Sequence, residues 1–175
     1  LSDAKGNPPD PPRKWPDHIL GVPDENGDIP FPIAEGNTET EHAAEIALAV
    51  SSRGGFVLSE TPTRRRRGST HFDKHILDGC DDHAHMLDHP AWLHFVGVTG
   101  AHEIPWDQCP DAPDPEAAPI KSSLWLATPN IAGAVRIEFG NHVCRHAAGT
   151  HKPLRGVDED GFYLTASSKC ENYHG

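Results

Sequence analysis

The sequence lacks the patterns that mark several common classes of protein. No run of 18 apolar residues occurs among its 175 positions, which argues against a helical membrane span. Its four cysteines include no CxxC pair and no HExxH motif is present, so the usual zinc patterns are missing. What remains is a globular chain, long enough to bury a core of its own.

Basic residues are also scarce. The 15 Lys and Arg are outnumbered by 26 Asp and Glu, for a formal net charge of −11. This balance argues against a general nucleic-acid binder held by phosphate neutralisation, but it allows an enzyme with a small local cationic site. The only basic run, at residues 64–67, reads as a solvated loop, as a processing-type sequence, or as a phosphate-attracting patch.

An even number of cysteines without metal-type spacing favours two disulfides and an oxidising compartment. Spacing leaves open all three pairings of Cys80, Cys109, Cys144 and Cys170. The sequence begins at Leu1 rather than at methionine, which is typical of a processed secretory protein, although a cloning boundary gives the same start. We therefore expect a secreted protein with no membrane partner.

The chain is expected to form a single domain over residues 1–175, with a Pro- and Gly-rich extension over residues 1–37. Asn26-Gly27 is a favourable two-residue turn, so the extension is predicted to be a surface loop or a weak hairpin.

One helix is predicted in the stretch TETEHAAEIALAVSSRGG. Thr38 and Glu41 form a capping box at its start, and Gly54 and Gly55 follow it as a stop signal. The apolar residues at helical spacing are Ala43, Ile46, Ala47 and Val50.

Short extended runs follow the helix and are separated by turn-forming residues. They are GFVLSE, AWLHFVGV, SSLWLA, AVRIEF, HVCRHAA and GFYLTA. One helix followed by a meander of strands predicts an α+β fold, in which a single α-helix packs on a twisted antiparallel β-sheet with long loops.

Two residues of the stretch AVRIEFGNHVCRHAAGTH carry candidate chemistry. Arg136 interrupts an apolar run, so it either points outward in a strand or faces inward, where a guanidinium must be paired or bind an anion. His151 lies near the predicted strand end, where a histidine is either an ordinary surface residue or a catalytic group.

Histidine is unusually frequent, with 13 residues in the chain. In residues 71–95 the histidines are His71, His75, His83, His85, His89 and His94, accompanied by several aspartates. His83 and His85 would share one face of a strand, and a carboxylate would complete a zinc site with them.

Read in order, four of these motifs resemble those of the fungal guanyl-specific ribonucleases and their relatives, the sarcin-type ribotoxins. A helix precedes GSTHFDKH with His71, MLDHP with Asp88, GAVRIEF with Arg136, and GTHKP with His151. The resemblance covers roughly residues 38–95 and 131–170. It implies the fold of these ribonucleases, disulfides Cys80–Cys144 and Cys109–Cys170, and substrate binding by Asp78 and Lys74.

The resemblance also implies a reaction, the cleavage of single-stranded RNA by transesterification to a 2′,3′-cyclic phosphate, with the preference for guanine that marks the guanyl-specific members. In this interpretation Asp88 is the base for the 2′-hydroxyl, aided by His71. His151 protonates the leaving oxygen and Arg136 binds the phosphate. No cofactor or metal is required, RNA is the partner, and a monomer is expected.

Two other functions stay open. Asp88 stands where the family has Glu, and Ser69 stands where it has Tyr, two departures that favour a ribonuclease-like binding or effector protein without catalysis. The histidine-rich segment supports instead a zinc-binding protein.

Overall fold

The computed structural model describes residues 12–66, 68–72, 83–107, 122–140, 142–147 and 150. Its helices and strands, in chain order, are α1 (Phe31–Ser52), β1 (Leu58–Pro62), a 3-10 turn (Met86–Asp88), α2 (Pro90–Thr99), β2 (His102–Asp107), β3 (Ser122–Ala127) and α3 (Pro129–Phe139). This arrangement confirms the predicted α+β class. The single-helix detail is wrong, because the described residues contain three α-helices.

The three described strands form one antiparallel sheet in the order β1-β3-β2. The central strand β3 lies between its two neighbours, with Leu124 opposite Thr61 and Pro105. Because side chains alternate along a strand, Leu124 and Leu126 face one side of the sheet and Ser123 and Trp125 face the other. Both sides of β3 are largely buried, so helices must cover both faces.

Helices α1 and α2 cover one face of the sheet. The buried residues of this layer are Ala44, Ala47, Leu87, Trp92, Phe95, Ala101, Leu124 and Leu126. Trp92 and Phe95 pack edge to face, with ring centroids 5.5 Å apart, an arrangement that aromatic pairs favour.

Helix α3 covers the opposite face. Ala132 and Val135 are buried against Ile104 and Ala127 of the sheet. Trp106, Trp125 and Phe139 pack beside them and are called here the aromatic cluster, with Phe139 lying 5.8 Å from Trp106 and 5.5 Å from Trp125 between ring centroids. The described chain therefore has three layers, with the sheet in the middle.

Two of the predicted strands are helices. The run AWLHFVGV lies in α2 and the run AVRIEF lies in α3, and each helix has a proline at its first position. Proline suits that position because its missing N–H would have no partner there. In α3, Ala132, Val135 and Phe139 recur at helical spacing on the face toward the sheet, so the apolar run was assigned the wrong period.

The remaining predicted strands have mixed outcomes. SSLWLA is confirmed as β3, and GFVLSE overlaps β1. HVCRHAA spans residues 142–148, and its described part, residues 142–147, contains no strand; GFYLTA lies outside the described residues. Strand β2 was not predicted.

Helix α1 begins at Phe31, seven residues before the predicted capping box. Thr38 lies inside the helix and its hydroxyl donates to the Ala34 carbonyl at 3.2 Å. Of the four residues predicted to face the core, Ala47 is buried, whereas Ile46 is 65% exposed. Ala44 is the other buried residue of α1.

The first part of the chain differs from the predicted extension, since residues 31–37 are helical. The Asn26-Gly27 turn is present: the Gly27 N–H donates to the Asp24 carbonyl at 3.0 Å, and Gly27 has a φ of 86°, which glycine adopts without strain. No regular strands flank this turn in the described part of the chain. None of the described helices is both long enough and apolar enough to cross a bilayer.

Candidate functional site

Five ionisable residues meet at the side of the sheet covered by α1 and α2. They are Arg64, Arg66, His85, Asp88 and Glu103, and are called here the charged cluster. Glu103 lies in β2 opposite Leu126 of β3, and Arg64 lies just beyond the end of β1. The antiparallel pairing of β1 and β2 with β3 therefore brings together side chains that are 39 positions apart in the sequence.

Arg64 and Glu103 form a two-pronged ion pair. Arg64 Nη1 donates to Glu103 Oε2 at 2.6 Å, and Nη2 donates to Oε1 at 2.7 Å. Arg64 Nη1 also reaches the Thr70 carbonyl at 3.4 Å, which ties residues 68–72 to the cluster. The planar guanidinium suits this geometry because its two N–H groups match the two carboxylate oxygens.

Asp88 holds the 3-10 turn and faces both arginines. Its Oδ2 accepts a hydrogen bond from the His85 backbone N–H at 2.8 Å. Its Oδ1 lies 4.0 Å from Arg64 Nε and 3.8 Å from Arg66 Nη2. Asp88 is only 5% exposed, so its position inside the cluster is fixed by the turn and by two cations.

His85 has one tautomer that satisfies the hydrogen-bond network. Its Nδ1 accepts from the Leu87 N–H at 3.1 Å, so the neutral ring carries its hydrogen on Nε2. Nε2 donates to the Pro62 carbonyl at 2.6 Å and lies 3.4 Å from Thr61 Oγ1. Burial lowers the pKa of His85 and the charge of Arg64 lowers it further, against the opposing effects of the hydrogen bond to Pro62 and of the carboxylates of Asp88 and Glu103.

Glu103 is ionised at neutral pH. Burial acts to raise the pKa of Glu103, but the hydrogen bonds and charge of Arg64 lower it more, with help from His71 and His85. The pKa of Arg64 moves the other way: burial acts to lower it, and Glu103 and Asp88 raise it above its ordinary value.

His71 lies near enough to Glu103 to influence its charge. It is half-buried and has a φ of 56°, in the left-handed region that non-glycine residues seldom occupy. Arg64 and Phe72 form an isolated parallel bridge, which holds the 68–72 segment beside the ion pair. The segment that carries His71 therefore lies beside the ion pair.

Arg66 adds a second cation to the cluster. Its guanidinium carbon lies 3.9 Å from the centroid of the Trp15 ring, which is a cation–π contact. Its Nε is buried and makes no hydrogen bond within the described part of the chain. The group therefore retains a donor for an acceptor that the described chain does not supply.

The structure brings together two of the residues predicted from the resemblance, His71 and Asp88, which both adjoin the Arg64–Glu103 pair. Arg136 is not among them. It is exposed on α3, which packs on the opposite face of the sheet. His151, Asp78 and Lys74 lie outside the described residues.

The predicted disulfides also depend on residues beyond the described part, since Cys80, Cys109 and Cys170 are not described. Cys144 is buried and its backbone N–H donates to Asp107 Oδ2 at 2.6 Å. For zinc, the described residues contain no group of three or more His, Cys, Asp or Glu placed to hold a metal ion, and His75 falls outside them.

Sequence reasoning missed Glu103 and the role of His85. The arginine run at 64–67 was a correct signal for the cationic region, because two of its members belong to the charged cluster. Glu103 has no local signal of this kind, since its partner is distant in sequence.

Comparison of the chain with known protein families, with characterised proteins and with solved structures found no match. The class that the structure defines is therefore a three-layer α+β protein with a charged cluster on one face of its sheet.

Proposed function

We propose that this protein is an endoribonuclease that cleaves single-stranded RNA by metal-independent transesterification, with its site at the charged cluster. The observation that carries the proposal is the Arg64–Glu103 pair with His71 beside it. Transesterification needs a base, an acid and a cation on the phosphate, and these three residues supply one of each. The 2′-hydroxyl is the nucleophile, so the substrate is RNA and not DNA.

Glu103 is the proposed base for the 2′-hydroxyl. Its lowered pKa keeps it ionised at neutral pH, and a quarter of its side chain is exposed, which leaves it accessible. The proton taken from the 2′-hydroxyl goes to Glu103 as the 2′-oxygen bonds to phosphorus. The bond from phosphorus to the 5′-oxygen then breaks, and His71, in its protonated form, gives that oxygen a proton.

Arg64 and Arg66 are the proposed phosphate ligands. Glu103 holds Arg64 in place. When Glu103 takes up the proton of the 2′-hydroxyl it becomes neutral, and its ion pair with Arg64 is lost. The guanidinium is then available to the extra negative charge that develops on phosphate. Arg66 Nε offers a second donor that the described chain leaves unused.

Asp88 is proposed as a positioning residue and not as the base. A quarter of the Glu103 side chain is exposed, whereas Asp88 is only 5% exposed, which keeps substrate away from it. Its charge holds the two arginines in place. The reaction predicted from the resemblance is kept in this proposal, but the base moves from Asp88 to Glu103 and the phosphate cation from Arg136 to Arg64 and Arg66.

The proposal is tested by RNA cleavage in EDTA with three variants. Glu103→Gln and His71→Ala are expected to lower the rate by about 10²–10⁴-fold, the usual contribution of a general acid or base. Arg136→Gln is the matched control, since it removes an exposed arginine of the opposite face and should leave the rate unchanged. Circular dichroism of each variant checks the fold. Full activity in Glu103→Gln with loss in Arg136→Gln would overturn this assignment.

A binding protein without catalysis is the second candidate, and one observation favours it. Both Nη atoms of Arg64 are engaged by Glu103, and Arg64 is buried, as expected of a closed structural ion pair. In that case wild-type protein binds a single-stranded RNA oligonucleotide without cleaving it, and Arg66→Gln weakens binding.

A further inference from the structure

A small cavity borders the charged cluster at His85. Its volume is about 70 Å³, and it is lined by Arg13, Ile19, Thr40, Ala84, His85, Met86 and His89. The N-terminal segment, helix α1 and the turn before α2 each contribute to its wall. The polar groups that have spare hydrogen-bonding capacity in this wall come from two residues, Arg13 and His89.

His89 presents an unused donor. It is only 4% exposed and is the N-cap residue of α2, where its Nδ1 accepts from the Ala91 N–H at 3.3 Å. With Nδ1 as acceptor, the neutral ring carries its hydrogen on Nε2. Nε2 is buried and makes no hydrogen bond within the described residues. A buried donor without an acceptor is costly, so an acceptor is expected there.

Arg13 presents further donors to the same space. Its Nε and Nη2 donate to Asn37 Oδ1 at 3.3 Å and 2.8 Å, and Nη2 also reaches the Ile33 carbonyl at 3.4 Å. Those contacts hold the guanidinium in place, and Arg13 lines the cavity. Thr40 adds no donor, because its hydroxyl hydrogen goes to the Gly36 carbonyl at 2.6 Å.

The charges around the cavity also favour an acceptor that is negatively charged. Burial lowers the pKa of His89, and the positive charge of Arg13 lowers it further, against the opposing effect of Glu41. Burial also lowers the pKa of Arg13. The N-terminus of α2, a helix of 10 residues, adds partial positive charge at His89. A negatively charged acceptor would be attracted by the Arg13 guanidinium and by the N-terminus of α2, and it would accept the hydrogen of His89.

We propose that this cavity binds a small carboxylate, held by the Arg13 guanidinium and His89 Nε2. The volume corresponds to roughly two water molecules, which suits a carboxylate group with few other atoms. A planar pair of oxygens matches donors from a guanidinium and an imidazole better than a single-atom anion does. Nothing in this site depends on the proposed ribonuclease activity.

Glu41 is the internal competitor for the site. Its Oε1 lies 3.9 Å from His89 Nε2, beyond hydrogen-bond range, and its side chain is half exposed. A carboxylate in the cavity would meet repulsion from Glu41, so Glu41→Gln is expected to tighten binding several-fold.

The test is a titration of the full chain with sodium formate and sodium acetate at constant ionic strength, followed by the imidazole nitrogen NMR signals. The signal of His89 is identified by its loss in His89→Asn. This variant keeps an N-cap acceptor and removes the Nε2 donor. The expected result is a saturable shift of the His89 signals and a rise in Tm with carboxylate concentration. Both effects should be lost in Arg13→Gln, and His89→Asn should lose the Tm rise.

The control is Arg53→Gln, which removes an arginine from the other end of α1 and should bind like wild type. Inorganic phosphate is titrated in parallel. Absence of a saturable shift, equal binding by Arg13→Gln and wild type, or tighter binding of phosphate than of either carboxylate would each overturn the proposal.

Discussion

Both faces of the sheet have an apolar core, and they differ in what packs beside it. On the side of α1 and α2, the charged cluster includes carboxylates and guanidinium groups that are mostly buried. On the side of α3, the three rings of the aromatic cluster pack against one another. Strand β3 supplies residues to both sides. Because buried ion pairs add little net stability compared with apolar packing, the charged face is the one whose composition calls for a functional explanation.

The largest expected effect on stability is at the ion pair. Glu103→Ala leaves the Arg64 guanidinium buried without its partner, which costs about 3–5 kcal/mol in the free energy of unfolding. The double variant Arg64→Met with Glu103→Met removes both charges and should recover most of that loss. Urea denaturation of the single and double variants makes the measurement. A double variant no more stable than the single one would show that the pair itself stabilises the fold.

A smaller effect is expected on the aromatic face. Phe139→Ala removes a ring that contacts both Trp106 and Trp125, and should cost about 2 kcal/mol, less than a fully buried Phe because the residue is half-buried. RNA cleavage by the folded variant should be unchanged. Ile137→Ala is the control in the same helix, since Ile137 is 82% exposed and its loss should cost less than about 0.5 kcal/mol. Lost cleavage in folded Phe139→Ala would place the active site on the α3 face.

The charged face should also confer a dependence of stability on pH. The pKa of His85 is lowered in the folded state, chiefly by burial. The unfolded chain therefore binds a proton that the folded chain does not, as pH falls below about 6.5. Stability is complete above this pH and is lost as the pH falls toward the folded pKa, with a limit of about 1.4 kcal/mol per pH unit for one proton.

His85→Asn tests this dependence, because Asn also caps the 3-10 turn and does not titrate. Urea denaturation at about pH 7 and about pH 5.5 should show a shallower fall in the variant than in wild type. Glu103, whose pKa is also lowered, adds a similar loss only in the more acidic range near its unfolded value of about 4.3. An unchanged slope in His85→Asn would contradict the assigned tautomer and burial of His85.

The smallest effect concerns a polar contact between β1 and β3 on the α3 face. Ser123 Oγ donates to Glu60 Oε1 at 2.7 Å, and Glu60 is exposed, so water replaces the serine when it is removed. Ser123→Ala should cost about 1 kcal/mol or less, as an ordinary hydrogen bond does. Thermal unfolding is sufficient to measure it. If Ser123→Ala lowered the free energy of unfolding as much as Glu103→Ala does, the two faces would not differ in how their polar contacts affect stability.

Local sequence signals predicted part of this fold. The α+β class, the C-terminal part of α1 and the strand SSLWLA were predicted correctly, since each rests on a pattern within one short segment. The two missed helices have short apolar runs in which strand and helix periods look alike. Their start signals were present in His89-Pro90 and Thr128-Pro129, and reading proline as a first helical residue would have identified both.

The candidate site was less predictable. His71 and Asp88 were identified and lie beside the Arg64–Glu103 pair, but the pair itself depends on strand pairing between distant segments. Arg136 was predicted to be a site residue because its run reads as a strand. The run is part of helix α3, so the Arg136 side chain points elsewhere than a strand would direct it. Register and helix orientation are set by tertiary packing, which short motifs do not encode.

Product analysis after RNA cleavage in EDTA tests the central claim most directly. Wild-type protein is incubated with a single-stranded RNA of defined sequence, and the new 3′ ends are identified by mass. The account predicts 2′,3′-cyclic phosphate ends from wild type and at least about 100-fold less product from Glu103→Gln. Intact RNA at high protein concentration, or ends without a cyclic phosphate, would contradict it.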